Sequence, residues 1–415
     1  MKYLYYCKYL LAVVLCVTAG SCRDNDSDFV NRSDSKAYYP EDTWEALFEH
    51  YWDGMNKNYA MWDLEKTDWD EVYDKYSPLF CDLGVIETVM HNGEEYIEDN
   101  AASRKAKEYF EQIVTPLIDQ HYALTMDFEG GTWGVTPNSY RIKQRPDYHE
   151  AITQTKFKEL HDTYKTGGRI TESKGYLVMQ EDGVSVNGLW YSCMLDGNIV
   201  YYHLSGFDLN DYVFTGNEWA EGIIPITEHY QTLLNTQPDI KGVIIDVRNN
   251  GGGYTADLQL LFGPLVSERM LFAYARTKDG LGRLDFSTWI PYYVFPENNI
   301  RSFDNIPIVV LADMYSVSMS EVSSSLAKFL PNGRLIGERT AGGTGQLVGG
   351  SAVAGNFSGS LFKVYMSSCI AKYPNDIYEG EGFTPDVEVH PDFEQLSRNI
   401  DNQLERAIEV IRQGV

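Results

Sequence analysis

Apolar residues recur along this chain in two rhythms, and the rhythm changes near residue 196. In the first part the spacing is helical. Trp44, Leu47, Phe48, Tyr51 and Trp52 fall at i, i+3, i+4, i+7 and i+8, one face of a helix. Asp68 can cap a second helix that carries Val72, Tyr73 and Tyr76 and stops at Pro78. Residues 103–121 give a third helical stretch, interrupted near Pro116. The pattern predicts a helical N-terminal domain over 41–130, then a mixed, glycine-rich connecting region over 131–195. From Asn198 short β-branched runs alternate with helical spacing. Strands are expected at Ile199 to Leu204, 242–247, 306–312 and from Leu335 to Ile336, and helices at Trp219 to Leu234, from Leu258 and over 319–330. Such alternation predicts an α/β core over 196–390 whose strands are buried on both faces. The tail, 391–415, sets Leu396, Ile400, Leu404, Ile408 and Ile411 on one face and reads as a helix docking on that core.

Two segments of the core carry candidate chemistry. Residues 241–253 read KGVIIDVRNNGGG and residues 306–321 read IPIVVLADMYSVSMSE, each an apolar run that stops at small and polar residues. Turns of this kind at the ends of two buried strands can set a hydroxyl beside backbone amides, the combination acyl transfer needs. Ser318 falls where the strand becomes a helix, and the helix N-terminus favours a developing oxyanion. Ser318-Met319-Ser320-Glu321 also spells a capping box that would merely start the helix, and Ser316 and Ser320 are rival hydroxyls. Gly251, Gly252 and Gly253 allow close backbone approach, or form a plain loop. Gly251-x-Gly253-x-x-Ala256 matches a dinucleotide fingerprint in letters, but Asp246-Val247-Arg248-Asn249-Asn250 lies between the apolar run and the glycines, where that fold turns at once. Asp246 and Arg248 suit a buried ion pair at a strand end.

These segments resemble the Asp-Leu-Arg-Asn-Asn-Pro-Gly-Gly and Ser-Ala-Ser-Ala-Ser-Glu stretches of the C-terminal processing (tail-specific) and tricorn-type serine peptidases. The resemblance extends to NYAMWDLEKTDWDEVYDKYSP at 58–78, DQHYAL at 119–124, GERTAGGTGQ at 337–346, EGEGFTPDVEV at 379–389 and DNQLERAIEVI at 401–411. It implies a helical N-terminal domain followed by a ClpP/crotonase-like α/β serine-peptidase core acting on polypeptides. It puts Ser318 at the nucleophile's position, with the amide of Gly252 or Gly253 and that of Met319 forming the oxyanion hole. Tail-specific relatives use a lysine as base, but Gly343 stands at its place, and Lys328, Lys363 and Lys372 match no motif. The tricorn-like branch uses a histidine oriented through a serine by a late glutamate. His121 and Glu379 match that pair. Gln120 stands where the orienting serine would be, so Gln120 or Asp119 is expected to hold the ring. Imidazole titrates near ~6.5 and suits the task. Many relatives carry a PDZ module in the region of 131–195, which is too short for a complete one. The motifs imply no metal or organic cofactor. A non-catalytic ligand-binding protein on the same fold and an esterase-like acyl hydrolase are the other readings.

Composition bears on location and partners. A formal net charge of -26 opposes binding to phosphate backbones, so nucleic acid is not an expected partner. Residues 1–22 read as a signal segment: Lys2 and Lys8 precede an apolar run too short to span a bilayer, ending in Ala19-Gly20-Ser21-Cys22. That ending resembles a bacterial lipobox and implies lipidation of Cys22. Residues 23–40 then form a polar tether, and the expected location is the cell envelope, as a lipoprotein of the outer membrane at its periplasmic face or the cell surface. Cys81, Cys193 and Cys369 are too few and too widely spaced for a disulfide framework.

Overall fold

A computed structural model of the chain describes residues 41–414, apart from 182, 184, 210–220, 298–300, 348–354, 375 and the side chains of 139 and 140. The expectations for the signal segment, Cys22 and the tether fall outside the described residues.

The core is a seven-stranded sheet in the order Val387–Glu388, Gly333–Gly337, Ile308–Ala312, Gly242–Asp246, Ile199–Leu204, Val186–Leu195, Ile170–Met179. The first five strands run parallel, and the last two extend the sheet as an antiparallel hairpin. Every residue of Ile199–Leu204, Gly242–Asp246 and Ile308–Ala312 is buried, because helices cover both faces. Ile224–Thr236 and Met319–Phe329 pack on one side, through Tyr230, Leu233, Val322 and Leu326. Asn402–Gln413 packs on the other through Leu404, Ile408 and Ile411. An α/β core behind an N-terminal helical region is the fold class expected from the sequence.

The region 41–130 holds the expected helices, at Trp44–Asn58, Trp69–Cys81 and Ala101–Val114. It is not helical throughout. Strands Thr88–His91, Glu94–Ile97 and Ala123–Phe128 lie within it, and a second sheet joins them to Gly131–Val135 and to Phe357–Ser358 and Phe362–Tyr365 from far along the chain. The strand Ala123–Phe128 alternates half-buried and buried residues, the two-residue period of a sheet with one covered face. Residues 131–195 are not a separate module: their long hairpin belongs to the core sheet. The tail is two helices, Phe393–Ser397 and Asn402–Gln413. The turn between them rotates Ile400 off the expected face and leaves it exposed.

Asp246 and Arg248 serve the fold. The Arg248 guanidinium is fully buried and bridges Asp246 (2.6 Å) to Asp401 (2.8 Å), the N-cap of the last helix. The cation beside Asp246 holds that carboxyl well below its ordinary range, although burial alone would raise it. This pair ties the C-terminal helix to the strand that leads into the glycine turn.

Candidate active site

Strands Gly242–Asp246 and Ile308–Ala312 are parallel neighbours, with Asp246 level with Leu311, so the loops that follow them emerge side by side. This is where open α/β sheets present their ligand sites. Val317 N donates to Asn250 O (3.1 Å), which fastens the two loops together.

Ser318 sits at the start of the helix Met319–Phe329 with φ 60° and ψ −117°. A non-glycine residue rarely adopts this backbone, and its strain is borne by the surrounding bonds. Ser318 N donates to Gly343 O (3.0 Å), and Ser318 O accepts from Glu321 N (2.9 Å). The side chain makes no capping bond, so the capping-box reading of this serine does not hold. The rival hydroxyls are spent. Ser316 Oγ donates to Val247 O (2.7 Å) and Ser320 Oγ to Asn250 O (2.8 Å), and both residues are fully buried. Of the three, Ser318 alone is partly exposed.

Gly252 and Gly253 take different parts. Gly252 N donates to Asn250 Oδ1 (2.8 Å), so its amide is already used. What Gly252 contributes is space: a Cβ there would lie 2.5 Å from Ser318 Cβ and 2.9 Å from Met319 N, and φ is +99°. Gly253 pairs in parallel fashion with Phe207 through its neighbours, Phe207 N to Gly252 O and Tyr254 N to Phe207 O (both 2.8 Å). That pattern turns the Gly253 amide away from Phe207. Neither it nor the Met319 amide donates to any partner among the described residues.

His121 comes from the far sheet and reaches the same place. A Cβ on Gly343 would lie 3.5 Å from His121 Cε1, and Gly343 O holds Ser318 N. Its Nδ1 is 3.4 Å from Ser367 Oγ, while Nε2 is buried and bonded to nothing among the described residues. Burial lowers the imidazole pKa below its ordinary value, with the Asp119 charge opposing. Ser367 escaped the sequence reading. Ala123 pairs with Tyr365 in an antiparallel ladder, and two residues beyond each along that register stand His121 and Ser367. The signal lay in a pairing between positions over two hundred residues apart.

The residues expected to hold the ring behave differently. Gln120 turns its amide to Ile118 O (2.7 Å). Asp119 is buried and accepts from Ser367 Oγ (2.8 Å), Ser367 N (2.8 Å) and His121 N (2.9 Å). Glu379 accepts from the amides of Gln120 (2.9 Å), Thr344 (2.7 Å) and Gly345 (2.5 Å) and from Thr344 Oγ1 (3.0 Å). It clamps the loop after Gly343 to the His121 segment, and burial with the Asp119 charge raises its pKa to about 8. Lys328 pairs with Asp386 (2.7 Å) and Lys363 with Asp127 (3.5 Å), and Lys372 lies over the rings of Tyr274 and Trp289.

Asp119, His121 and Glu379 offer ligand atoms within 4.8 Å of one another, as do Asp147, Glu338 and His390. In the first group both carboxylates are engaged by internal donors, as above. In the second, Asp147 faces Arg145 (2.8 Å), and Glu338 faces His149 and His390 (both 3.0 Å). Hydrogen bonds and ion pairs account for both.

A cavity of about 470 Å³ opens beside His121 and Val317. Tyr122, Ala123, Ile142, Tyr148 and Tyr315 give it apolar walls, with Lys143 and Glu150 among its polar lining. A hydroxyl at a strained strand-to-helix turn, with two amides and an imidazole nitrogen that have no partner among the described residues, is a combination that can support acyl transfer.

Known proteins resemble this chain in sequence and fold. Residues 199–389 match Peptidase family S41, and residues 40–83 match the Tricorn protease C1 domain. The tricorn protease of Thermoplasma volcanium is 32% identical over 190 residues, 46% of this chain and 16% of that protein. That of Thermoplasma acidophilum is 27% identical over 227 residues, 54% of this chain and 18% of that protein. The chain thus spans under a fifth of the length of these curated relatives. A solved structure described as a candidate peptidase from Parabacteroides merdae aligns with a TM-score of 0.59 at 20% identity, covering 89% of this chain and 96% of that one. At that identity the likeness bears on the fold. Together these matches support a tricorn/S41-type peptidase family for this chain.

Proposed function

We propose that this protein is a serine-type peptidase that hydrolyses polypeptides through an acyl-enzyme on Ser318. The observation that carries the reading is the pair of neighbours around Gly343: a Ser318 hydroxyl held at φ 60° that makes no capping bond, and a His121 Nε2 with no partner among the described residues. Ser318 Oγ attacks the scissile carbonyl carbon, and its proton passes to His121 Nε2. The oxyanion is received by the amides of Met319 and Gly253 over the space Gly252 leaves open. As the C–N bond breaks, His121 returns the proton to the leaving amine. Water then attacks the ester by the same route in reverse roles, freeing the acid and restoring Ser318.

The cavity beside His121 has the size and apolar walls to seat a bulky side chain of the substrate, and this favours cleavage next to aromatic or large aliphatic residues. Export and anchoring through Cys22 to the cell envelope, at the outer membrane, rest on the lipobox resemblance. The test is digestion of an unstructured polypeptide with product sequencing. Cleavage by the wild type and its loss in Ser318→Ala support the reading. Cleavage of small esters alone would make the protein an esterase, and no turnover of either substrate would make it a binding protein.

A further inference from the structure

We propose that Ser367 and Asp119 are positioning residues that set the proton-accepting tautomer of His121, in place of the glutamate-led arrangement implied by resemblance; this deepens the reading of Ser318 and His121 as nucleophile and base.

The argument is one of donors and acceptors. Asp119 receives three hydrogen bonds, two from backbone amides and one from Ser367 Oγ. A carboxylate can only accept, so the Ser367 hydroxyl hydrogen must point at Asp119. Ser367 Oγ then faces His121 Nδ1 with a lone pair, across 3.4 Å. The contact is attractive only when Nδ1 carries the hydrogen. That leaves Nε2 with its lone pair, and Nε2 is the atom without a partner. The chain Asp119–Ser367–His121 therefore aims a proton acceptor out of a buried network. The 3.4 Å contact is loose for a hydrogen bond, as such contacts often are before substrate binds.

Geometry excludes the other claimants. All four donors to Glu379 are backbone amides or Thr344 Oγ1. Gln120 donates away from the ring, to Ile118 O. The position of Ser367 is fixed by the ladder Ala123–Tyr365 and by its own amide bond to Asp119, so two strands of one sheet hold base and tether in register. The titratable groups near the ring are Asp119 and Glu379, within 4.8 Å, and Tyr122, Lys143, Tyr148 and Glu150 along the same cavity.

When His121 takes the serine proton it becomes an imidazolium. Asp119, one hydroxyl away, stabilises that charge. Removing the Asp119 charge should therefore lower the imidazole pKa as well as the rate, which a purely structural residue would not do.

The test uses the full chain in two arms. In the first, kcat/KM against pH is measured for wild type, Ser367→Ala, Ser367→Thr, Asp119→Asn, His121→Ala and Ser318→Ala. Ser367→Ala should lose on the order of 10- to 100-fold in kcat with little change in KM, Ser367→Thr should recover part of it, and Asp119→Asn should move the acid limb to lower pH. In the second arm, imidazole nitrogen chemical shifts are recorded on isotope-labelled histidine in Ser318→Ala, with His121→Ala added to assign the signal. The expected form is Nδ1–H, giving way to a tautomer mixture when Ser367→Ala is added. An Nε2–H form overturns the proposal even if the other variants fail to fold. Dead Ser318→Ala and His121→Ala proteins beside wild-type profiles for Ser367→Ala and Asp119→Asn would sink this proposal alone. Full activity in Ser318→Ala would sink the underlying reading with it.

Discussion

The Cβ that Gly343 lacks would stand 3.5 Å from His121 Cε1 and 2.8 Å from Val317 Cγ1. Position 343 is where the tail-specific relatives are expected to carry their catalytic lysine. Here a Cβ at that point would crowd Val317, the residue before Ser318, and would touch the His121 ring only at ordinary contact distance.

Gly252→Ala should remove activity without unfolding the protein. The added methyl would lie 2.9 Å from Met319 N, over the space assigned to the oxyanion, at a φ of +99°. A loss of about 10²-fold or more in kcat is expected, the size of one oxyanion donor. The check is kinetics beside circular dichroism, and near-wild-type kcat would show that the oxyanion lies elsewhere.

Activity should persist into mildly acid solution. With His121 as the proposed base, neutral imidazole is the form that accepts the proton, and burial disfavours the imidazolium, so the folded pKa of His121 lies below the ordinary value. As pH falls, kcat/KM should drop only below about 6.5, lower than the sequence alone suggested. An acid limb centred above about 7 would point to another base.

Arg248→Ala should destabilise the fold strongly. It leaves the buried carboxylates of Asp246 and Asp401 facing each other without their cation. Breaking such a pair costs about 3–5 kcal/mol. Urea unfolding measures it, and a change below about 1 kcal/mol would contradict this account of how the last helix is held.

Labelled palmitate should be incorporated by the wild-type chain expressed in a bacterium and lost in Cys22→Ala. The motive is the apolar run ending at Ala19-Gly20-Ser21-Cys22. Equal incorporation by both would remove the lipoprotein assignment.

The sequence was most legible where local pattern and burial agree. Val243 to Ile245 and Ile308 to Leu311 are β-branched or leucine and buried on both faces, so their composition alone marks them as strands. It was least legible where partners come from afar. Ala123–Phe128 follows a helical region and finds its partner strand at Phe362–Tyr365, and that pairing helps bring Ser367 to His121. The glycine turn was recognised, but not that Asn250 Oδ1 would occupy the Gly252 amide, a matter of side-chain direction within one loop. Ser318 itself was assigned by resemblance. Its letters also fit a helix cap, and the difference lies in a backbone angle that no spacing reveals.

The central claim is that Ser318 carries the acyl group, and covalent labelling tests it most directly. The protein is treated with a fluorophosphonate, and the adduct is mapped by peptide mass spectrometry. One adduct per chain on Ser318 is expected, abolished in Ser318→Ala, strongly slowed in His121→Ala and retained in those Ser316→Ala and Ser320→Ala molecules that fold. No adduct on the folded wild-type protein, or an adduct on a different residue, would contradict the account.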